Sequence, residues 1–311
     1  MGGLDEVSAP GAETPPAPGI TVAAEVSLAV AAKASGENFP VALRVLPAGW
    51  RAHLTALYGF ARLTDDLGDE PLPGMPDGAS QETITATRIR LLDDLQADVA
   101  AIYEGGEPRL EAIRALKRTV EECRIPRQPF DDLIQANRQD QIVKRYQSYD
   151  DLKRYCELSA NPVGQVVLYI VGAATPERLR LSDSICTALQ LVEHWQDVAE
   201  DLGNGRIYLP LEDLRSFGVT EADLARPAAG ANVAKLVAFE TDRANELLDR
   251  GAPLVGTLKG AARLAIAGYV AGGRAAIRAI RQGGYDVLSA TPKPGRAATL
   301  ANMVSCYVRG R

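Results

Sequence analysis

Histidine is scarce: His53 and His194 are the only two in 311 residues, and neither belongs to an HExxH motif. Both are expected in packing or helix-surface roles. No GxSxG elbow or Walker loop is present, and no strand is expected before the glycine-rich stretches, so a Rossmann-type nicotinamide site is unsupported. The four cysteines, Cys123, Cys156, Cys186 and Cys306, lie far apart without a CxxC pair. That spacing suggests neither a zinc cluster nor a disulfide framework, and a reducing cytoplasm fits it best. Basic residues do not predominate either. Forty acids against 34 bases leave a net charge of −6, which gives no electrostatic footprint for nucleic acid. The longest apolar run, over 166–174, is about half of the 18 to 20 residues that span a bilayer. An integral membrane protein is not expected. The first twenty residues are rich in Pro, Gly and Ala and lack a signal-peptide pattern, so residues 1–21 are expected to form a disordered tail. Cys306 is too far from the end for a prenylation box.

What remains is a chain rich in Ala, Leu, Arg, Glu and Gln, with apolar residues at three-to-four spacing from residue 22 onward. The pattern predicts an all-α fold in a single domain over 22–311, because no linker in that range is long and polar enough to divide two cores. Helices are expected over 50–66, 82–103, 108–123, 127–147, 149–172, 176–202, 232–250, 254–283 and 294–308. The proline- and glycine-rich stretch 70–80 is expected as a loop, and Asn161-Pro162 as a kink.

Two acidic rows carry the chemistry. In DDLGDE, Asp65 and Asp69 are four residues apart, about 40° around a helix, and so share a face; Asp66 and Glu70 share another. In EHWQDVAED, Glu193, Asp197 and Asp201 form an i, i+4, i+8 row. Either row alone reads as a solvated acidic face partly offset by Arg62 or Arg206. Together they supply oxygen ligands without nearby imidazole or thiolate, the donor set that Mg²⁺ prefers. Mg²⁺ takes few carboxylates and shares its sphere with phosphate oxygens, so the implied ligand is a phosphate ester or diphosphate. Metal-neutralised diphosphate is a good leaving group.

At ENFPVALRVLP (37–47), LYGFARLTDDLGDE (57–70), YCELSANPVGQVVL (155–168) and QLVEHWQDVAEDLGNGRIYLP (190–210), the chain resembles the squalene/phytoene synthase family over nearly everything after Val22. The ENFP, SANPVG and WQDVAED elements are most similar to hopanoid-pathway members. The resemblance implies an isoprenoid-synthase helical bundle with a central cavity, in which Asp65 and Asp69 form one Mg²⁺-binding pair and Asp197 and Asp201, with Glu193, the other. It implies catalytic roles for Tyr58, Arg62, Tyr155 and Asp140, and substrate contacts from Phe39, Arg62, Gln190, Arg206, Val163 and Gly164. Two positions depart from the family pattern. Glu193 stands where the family usually has Asn, adding a negative charge, and His194 stands where hopanoid members commonly carry an aromatic residue.

The implied reaction is conversion of presqualene diphosphate and water to hydroxysqualene and diphosphate. Two alternatives are head-to-head condensation to presqualene diphosphate, squalene or phytoene, and a noncatalytic role in respiratory-complex assembly. Erosion of the acidic motifs would mark the latter, whereas Asp65, Asp69, Asp197 and Asp201 all remain. Lipid substrates imply loose contact with the inner face of the membrane and transient contact with other enzymes of the pathway. The basic C-terminal positions Arg274, Arg278, Arg281, Lys293, Arg296 and Arg309 are candidates for membrane contact or for a solvated helix face. Lys293 and Arg296 are alternatively candidates to close over the diphosphate.

Overall fold

The computed structural model describes residues 46–76, 78–292, 303 and 305–310. Thirteen helices are named among them: α1 (Ala48–Asp69), α2 (Gln81–Tyr103), α3 (Glu111–Cys123), α4 (Gln128–Ile142), α5 (Tyr149–Ser159), α6 (Asn161–Ile170) and α7 (Pro176–Gln196), then α8 (Val198–Gly203), α9 (Leu211–Ser216), α10 (Glu221–Leu224), α11 (Ala231–Gly251), α12 (Leu254–Thr257) and α13 (Gly260–Gln282). Residues 305–309 are also helical. The fold is all-α. Among the described residues the one β-type pairing is an isolated parallel bridge between Arg145 and Ile207. No described helix is long and apolar enough to cross a membrane. The expected tail over 1–21, the ENFP element with Phe39, and Lys293 and Arg296 lie outside the described residues.

Local chemistry sets the helix ends. Ser80 caps α2 by accepting from the Thr83 N–H, and Thr175 caps α7 ahead of Pro176, whose missing N–H costs nothing in the first turn. Ser148 and Asp151 form a reciprocal capping box at the start of α5. α3 stops at Arg124 in the left-handed region, at φ 53°.

Buried side chains form two apolar clusters. One gathers α1–α3 with Phe130, Leu133 and Ile134 of α4; the other gathers α5, α7, α11 and α13 around Trp195. α6 joins them, giving Val166 and Ile170 to the first and Leu168 to the second. α7 and α11 lie along one another. Their contact at Gly251 leaves no room for a side chain, because a Cβ there would come within 2.6 Å of the Leu181 carbonyl oxygen.

Four expected helices are shorter or divided. The 127–147 segment ends at Ile142, and 143–148 runs extended beside 205–212. There Ile207 N donates to Lys144 O at 3.0 Å and Leu211 N to Tyr146 O at 2.9 Å, so these backbone groups bond across the chain and not within a helix. The 149–172 segment bends at Ala160, one residue before Asn161-Pro162, as the missing proline donor requires. The 176–202 segment breaks at Asp197, and 254–283 divides at Leu258, whose backbone is extended.

Candidate active site

α1 carries Asp65, Asp66 and Asp69 to its C-terminal end, where the last carbonyls are held from outside the helix. Arg88 of α2 donates to Gly68 O, to Asp69 O at 3.0 Å and to Glu70 O at 3.1 Å; Gln141 of α4 donates to Gly68 O at 3.1 Å. A cation at these carbonyls also complements the helix dipole. Asn137 Nδ2 donates to Asp65 Oδ1 at 3.3 Å. Asp65 reaches solvent yet is ringed by protein; that burial pushes its pKa up to about 6, Asn137 opposing the rise and Asp69 adding to it. Arg62 turns to the other side of α1, with Nε 2.7 Å from Asp66 Oδ1 and Nη2 3.2 Å from Glu70 Oε1. Its expected diphosphate contact therefore requires exchange of those partners. Tyr58, half-buried, lies one turn before it.

The second row survives the break at Asp197. Asp197 N donates to Glu193 O at 3.0 Å and Asp201 N to Asp197 O at 2.8 Å, so the three acids keep helical spacing across the joint. Burial, then the Asp197 charge, raises the pKa of Asp201 to about 7 and that of Glu193 above its ordinary value. After α8 the chain turns back, and the extended stretch beside Lys144 and Arg145 aims Arg206 at the first row.

Arg206 joins the rows. Its Nη2 donates to Asp69 Oδ1 at 2.9 Å, and its charge acts on both Asp140 and Asp201. Burial opposes the guanidinium charge, but Tyr208, Asp69 and Asp140 more than offset this and raise its pKa. Asp140 is buried on α4; Tyr155 Oη donates to its Oδ2 at 2.8 Å, and its Oδ1 has no hydrogen-bond partner. Burial lifts Asp140 to about 6 against the pull of Tyr155 and Arg206. The Tyr155 hydroxyl, buried beside that carboxylate, is held well above the usual tyrosine range and keeps its proton. Tyr146, Tyr155, Tyr208 and His194 pack their rings together, His194 stacked on Tyr208 at 3.6 Å. Burial, then Arg206, lowers the His194 pKa to about 3, so this ring is neutral; His53 instead bonds Thr119 Oγ1 at 3.0 Å on α3. The His194 ring is therefore not placed to exchange protons near neutrality.

A cavity of about 240 Å³ lies between α6, α7, α12 and α13. Val163, Gly164, Val167 and Leu189 give it an apolar wall, and Ser182, Gln190 and Glu193 are its polar lining from α7. Gly164 is required by packing, because a Cβ there would sit 2.4 Å from Cys186 Sγ and 2.5 Å from Ser182 Oγ. Of the residues expected to touch substrate, Val163, Gly164 and Gln190 line this cavity, whereas Arg62 and Arg206 stand with the acids. Leu57 and Val166 are buried in the first apolar cluster.

The donor set suits a hard divalent ion. Among the described residues no three His, Cys, Asp or Glu side chains gather closely enough to enclose a metal. Mg²⁺ does not need such a cage, since one or two carboxylates commonly suffice when phosphate and water complete its sphere. The raised pKa values of Asp65, Asp140 and Asp201 and the unpartnered Asp140 Oδ1 mark a site short of positive charge. Its residues fit a cation that arrives with an anionic ligand. Sequence reasoning missed Arg88, Asn137, Gln141, Lys144 and Tyr208. The signal for part of this set was a polar row, Asn137, Asp140 and Gln141, at helical spacing within an otherwise core-facing helix.

The same arrangement of helices recurs in known proteins. The crystal structure of squalene synthase HpnC from Alicyclobacillus acidocaldarius superposes with a TM-score of 0.74 at 37% identity, covering 86% of this chain and 95% of that one. Hydroxysqualene synthase of Rhodopseudomonas palustris is 33% identical over 224 residues, 72% of each chain. The 15-cis-phytoene synthase of Synechocystis is 31% identical over 225 residues, 68% of this chain and 63% of that one. A family model described as squalene/phytoene synthase matches residues 32–298. The chain with paired acids on α1 and at the α7–α8 joint is thus an isoprenoid synthase, and it belongs to the squalene/phytoene synthase family.

Proposed function

We propose that this enzyme converts presqualene diphosphate and water into hydroxysqualene and diphosphate, with Mg²⁺, in bacterial squalene and hopanoid synthesis. The observation that carries the reading is the meeting of Asp69, Asp140 and Asp201 around Arg206. Asp65 and Asp69 on one side, and Asp197 and Asp201 with Glu193 on the other, would hold Mg²⁺. The ion supplies charge neutralisation on the departing diphosphate.

The chain's own groups divide the remaining work. Arg206, and Arg62 after leaving Asp66, offer forked donors that match phosphate oxygens. The apolar wall at Val163, Gly164 and Val167 receives hydrocarbon and excludes water from most of the chain. The Tyr155 ring, its orientation fixed by the buried bond to Asp140, steadies developing positive charge. A greasy substrate and product would bring the enzyme into peripheral contact with the inner membrane face and into transient contact with neighbouring enzymes of the pathway.

The condensation of prenyl diphosphates is the second reading, favoured by the nearly equal identity to a phytoene synthase. Purified protein with Mg²⁺ should be given presqualene diphosphate and, separately, farnesyl diphosphate. Hydroxysqualene from the first and no lipid product from the second is expected; presqualene diphosphate formed from farnesyl diphosphate would favour condensation. Asp65→Asn and Asp197→Asn are each expected to lower turnover on the order of 100-fold, and unchanged turnover would remove the acids from the mechanism.

A further inference from the structure

The cavity beside α6 and α7 changes character where it meets the acids. Glu193 belongs both to its lining and to the second acidic row, so the end of the cavity at Glu193 is the end that adjoins the acid site. Gln190 lines that same end, three residues earlier on α7 and on the same helix face. A lipid whose diphosphate lies among the acids and whose hydrocarbon fills the cavity carries its reacting carbon through this junction.

The Gln190 carboxamide is held from one side. Its Nε2 lies 3.3 Å from His194 Nε2, one turn on along α7. An amide nitrogen donates and does not accept, so His194 Nε2 is the acceptor and the imidazole carries its proton on Nδ1. His194 is buried and its ring is stacked on Tyr208 at 3.6 Å, which leaves that acceptor little freedom to move. Among the described residues this is the one side-chain hydrogen bond of Gln190, and it uses the nitrogen alone. Oε1 is thereby left as an acceptor at the cavity wall. A second polar group of the lining is uncommitted. Ser159 Oγ, at the end of α5, has no hydrogen-bond partner among the described residues, whereas Ser184 Oγ and Thr241 Oγ1 each donate back to the carbonyl four residues before them. Polar groups on the wall of an apolar cavity are commonly satisfied by water.

Granted the water-capture reaction proposed above, on which this role rests, we propose that Gln190 holds the water that captures the substrate cation, and that His194 is the positioning residue that fixes the carboxamide. The water donates one O–H to Gln190 Oε1 and turns a lone pair of its oxygen toward the cationic carbon. The new C–O bond takes both electrons of that pair and leaves a protonated alcohol, which gives its proton to the diphosphate released in the same turnover. No oxidant or reductant is consumed. The Ser159 hydroxyl is the further partner that the lining offers such a water.

The full chain and its variants should be given presqualene diphosphate and Mg²⁺ in oxygen-labelled water, and the labelled hydroxysqualene measured per diphosphate released. Gln190→Met keeps the length of the side chain but removes the acceptor. Hydroxysqualene per diphosphate is expected to fall roughly tenfold or more, with hydrocarbons formed by proton loss in its place, whatever the change in rate. His194→Phe keeps a ring to stack on Tyr208 but removes the acceptor for Gln190; it should shift the products the same way, which a loss of packing alone would not. Ser159→Ala should shift them less. Gln190→Asn, which retains the amide but withdraws it from the wall, serves if Gln190→Met loses its helical circular dichroism. An unaltered hydroxysqualene share in the Gln190 variant overturns the assignment and leaves the reaction standing. Loss of all diphosphate release in that variant also overturns it, by placing Gln190 in the ionisation step. No hydroxysqualene from the parent protein overturns the reaction itself, and the assignment with it.

Discussion

Asp69 and Asp201 stand on different helices and are brought under one electrostatic influence by the side chain of Arg206. Without ligand, that guanidinium supplies positive charge to both rows, beside what Arg62 gives the first. Arg206→Gln keeps a donor of similar reach but deletes the charge. The variant should therefore bind inorganic diphosphate roughly tenfold or more weakly in the presence of Mg²⁺, with KM rising more than kcat falls. Titration calorimetry and steady-state kinetics together check this. Equal diphosphate affinity in the variant would show that Arg206 serves the acids alone. His194 illustrates the opposite case, a titratable ring so enclosed against Tyr208 that it acts as an aromatic body.

At the scale of elements, close approach and buried charge set the tolerances. Gly251→Ala would press a methyl against the Leu181 carbonyl on α7, and the helices must separate to admit it. A loss of about 1 to 3 kcal/mol in denaturant unfolding is expected. The α9–α11 contact carries a different liability. Glu240 is fully buried, with Arg243 at 3.3 Å, while Arg243 also donates to Asp213 of α9 at 2.7 Å. Burial, then hydrogen bonding to Asp213, raises the Glu240 pKa from 4.5 to about 8, with Arg243 opposing. Between those values the folded protein holds a proton that the unfolded chain releases, so this group's contribution to stability falls as pH rises. Glu240→Gln should flatten the decline, gaining on the parent between about pH 5 and pH 8 in thermal unfolding; parallel curves for both proteins would contradict it.

Apolar periodicity made most helices legible, and four-residue acid spacing made both acidic rows legible as candidates. The breaks were less visible. Nothing in the 127–147 pattern signals that Lys144 and Tyr146 give their carbonyls to Ile207 and Leu211, because that pairing depends on a return of the chain some sixty residues later. Asp197 keeps its place in the acid row through hydrogen bonds that continue across a joint, so the spacing read correctly even though the helix does not run through. Arg88 was illegible for a related reason: its role is to hold the carbonyl ends of another helix, and an arginine on α2 gives no sign of it.

At the scale of the molecule, the acids meet along the seam between two apolar clusters. Asp65 and Asp69 come from α1 in the first, while Asp201 and Arg206 follow α7 in the second. Binding of Mg²⁺ together with diphosphate at this seam, as proposed, would stabilise only the arrangement in which both halves are formed. Thermal unfolding should shift upward with the pair, by about 2.7 kcal/mol at a hundredfold excess over the dissociation constant. Chelation should reverse the shift, and Asp65→Asn should abolish it; an equal shift with chelator present would place the binding elsewhere.

The helix that stitches the clusters has no spare side. Val166 and Ile170 press one way, Leu168 the other, and Val163 and Gly164 front the apolar cavity. α6 is a party wall: rotating or sliding it to accommodate a longer lipid would unseat residues in both neighbouring rooms. Adaptation to chain length is therefore confined to trimming or thickening individual side chains such as Val163 and Leu189, with the wall itself left standing.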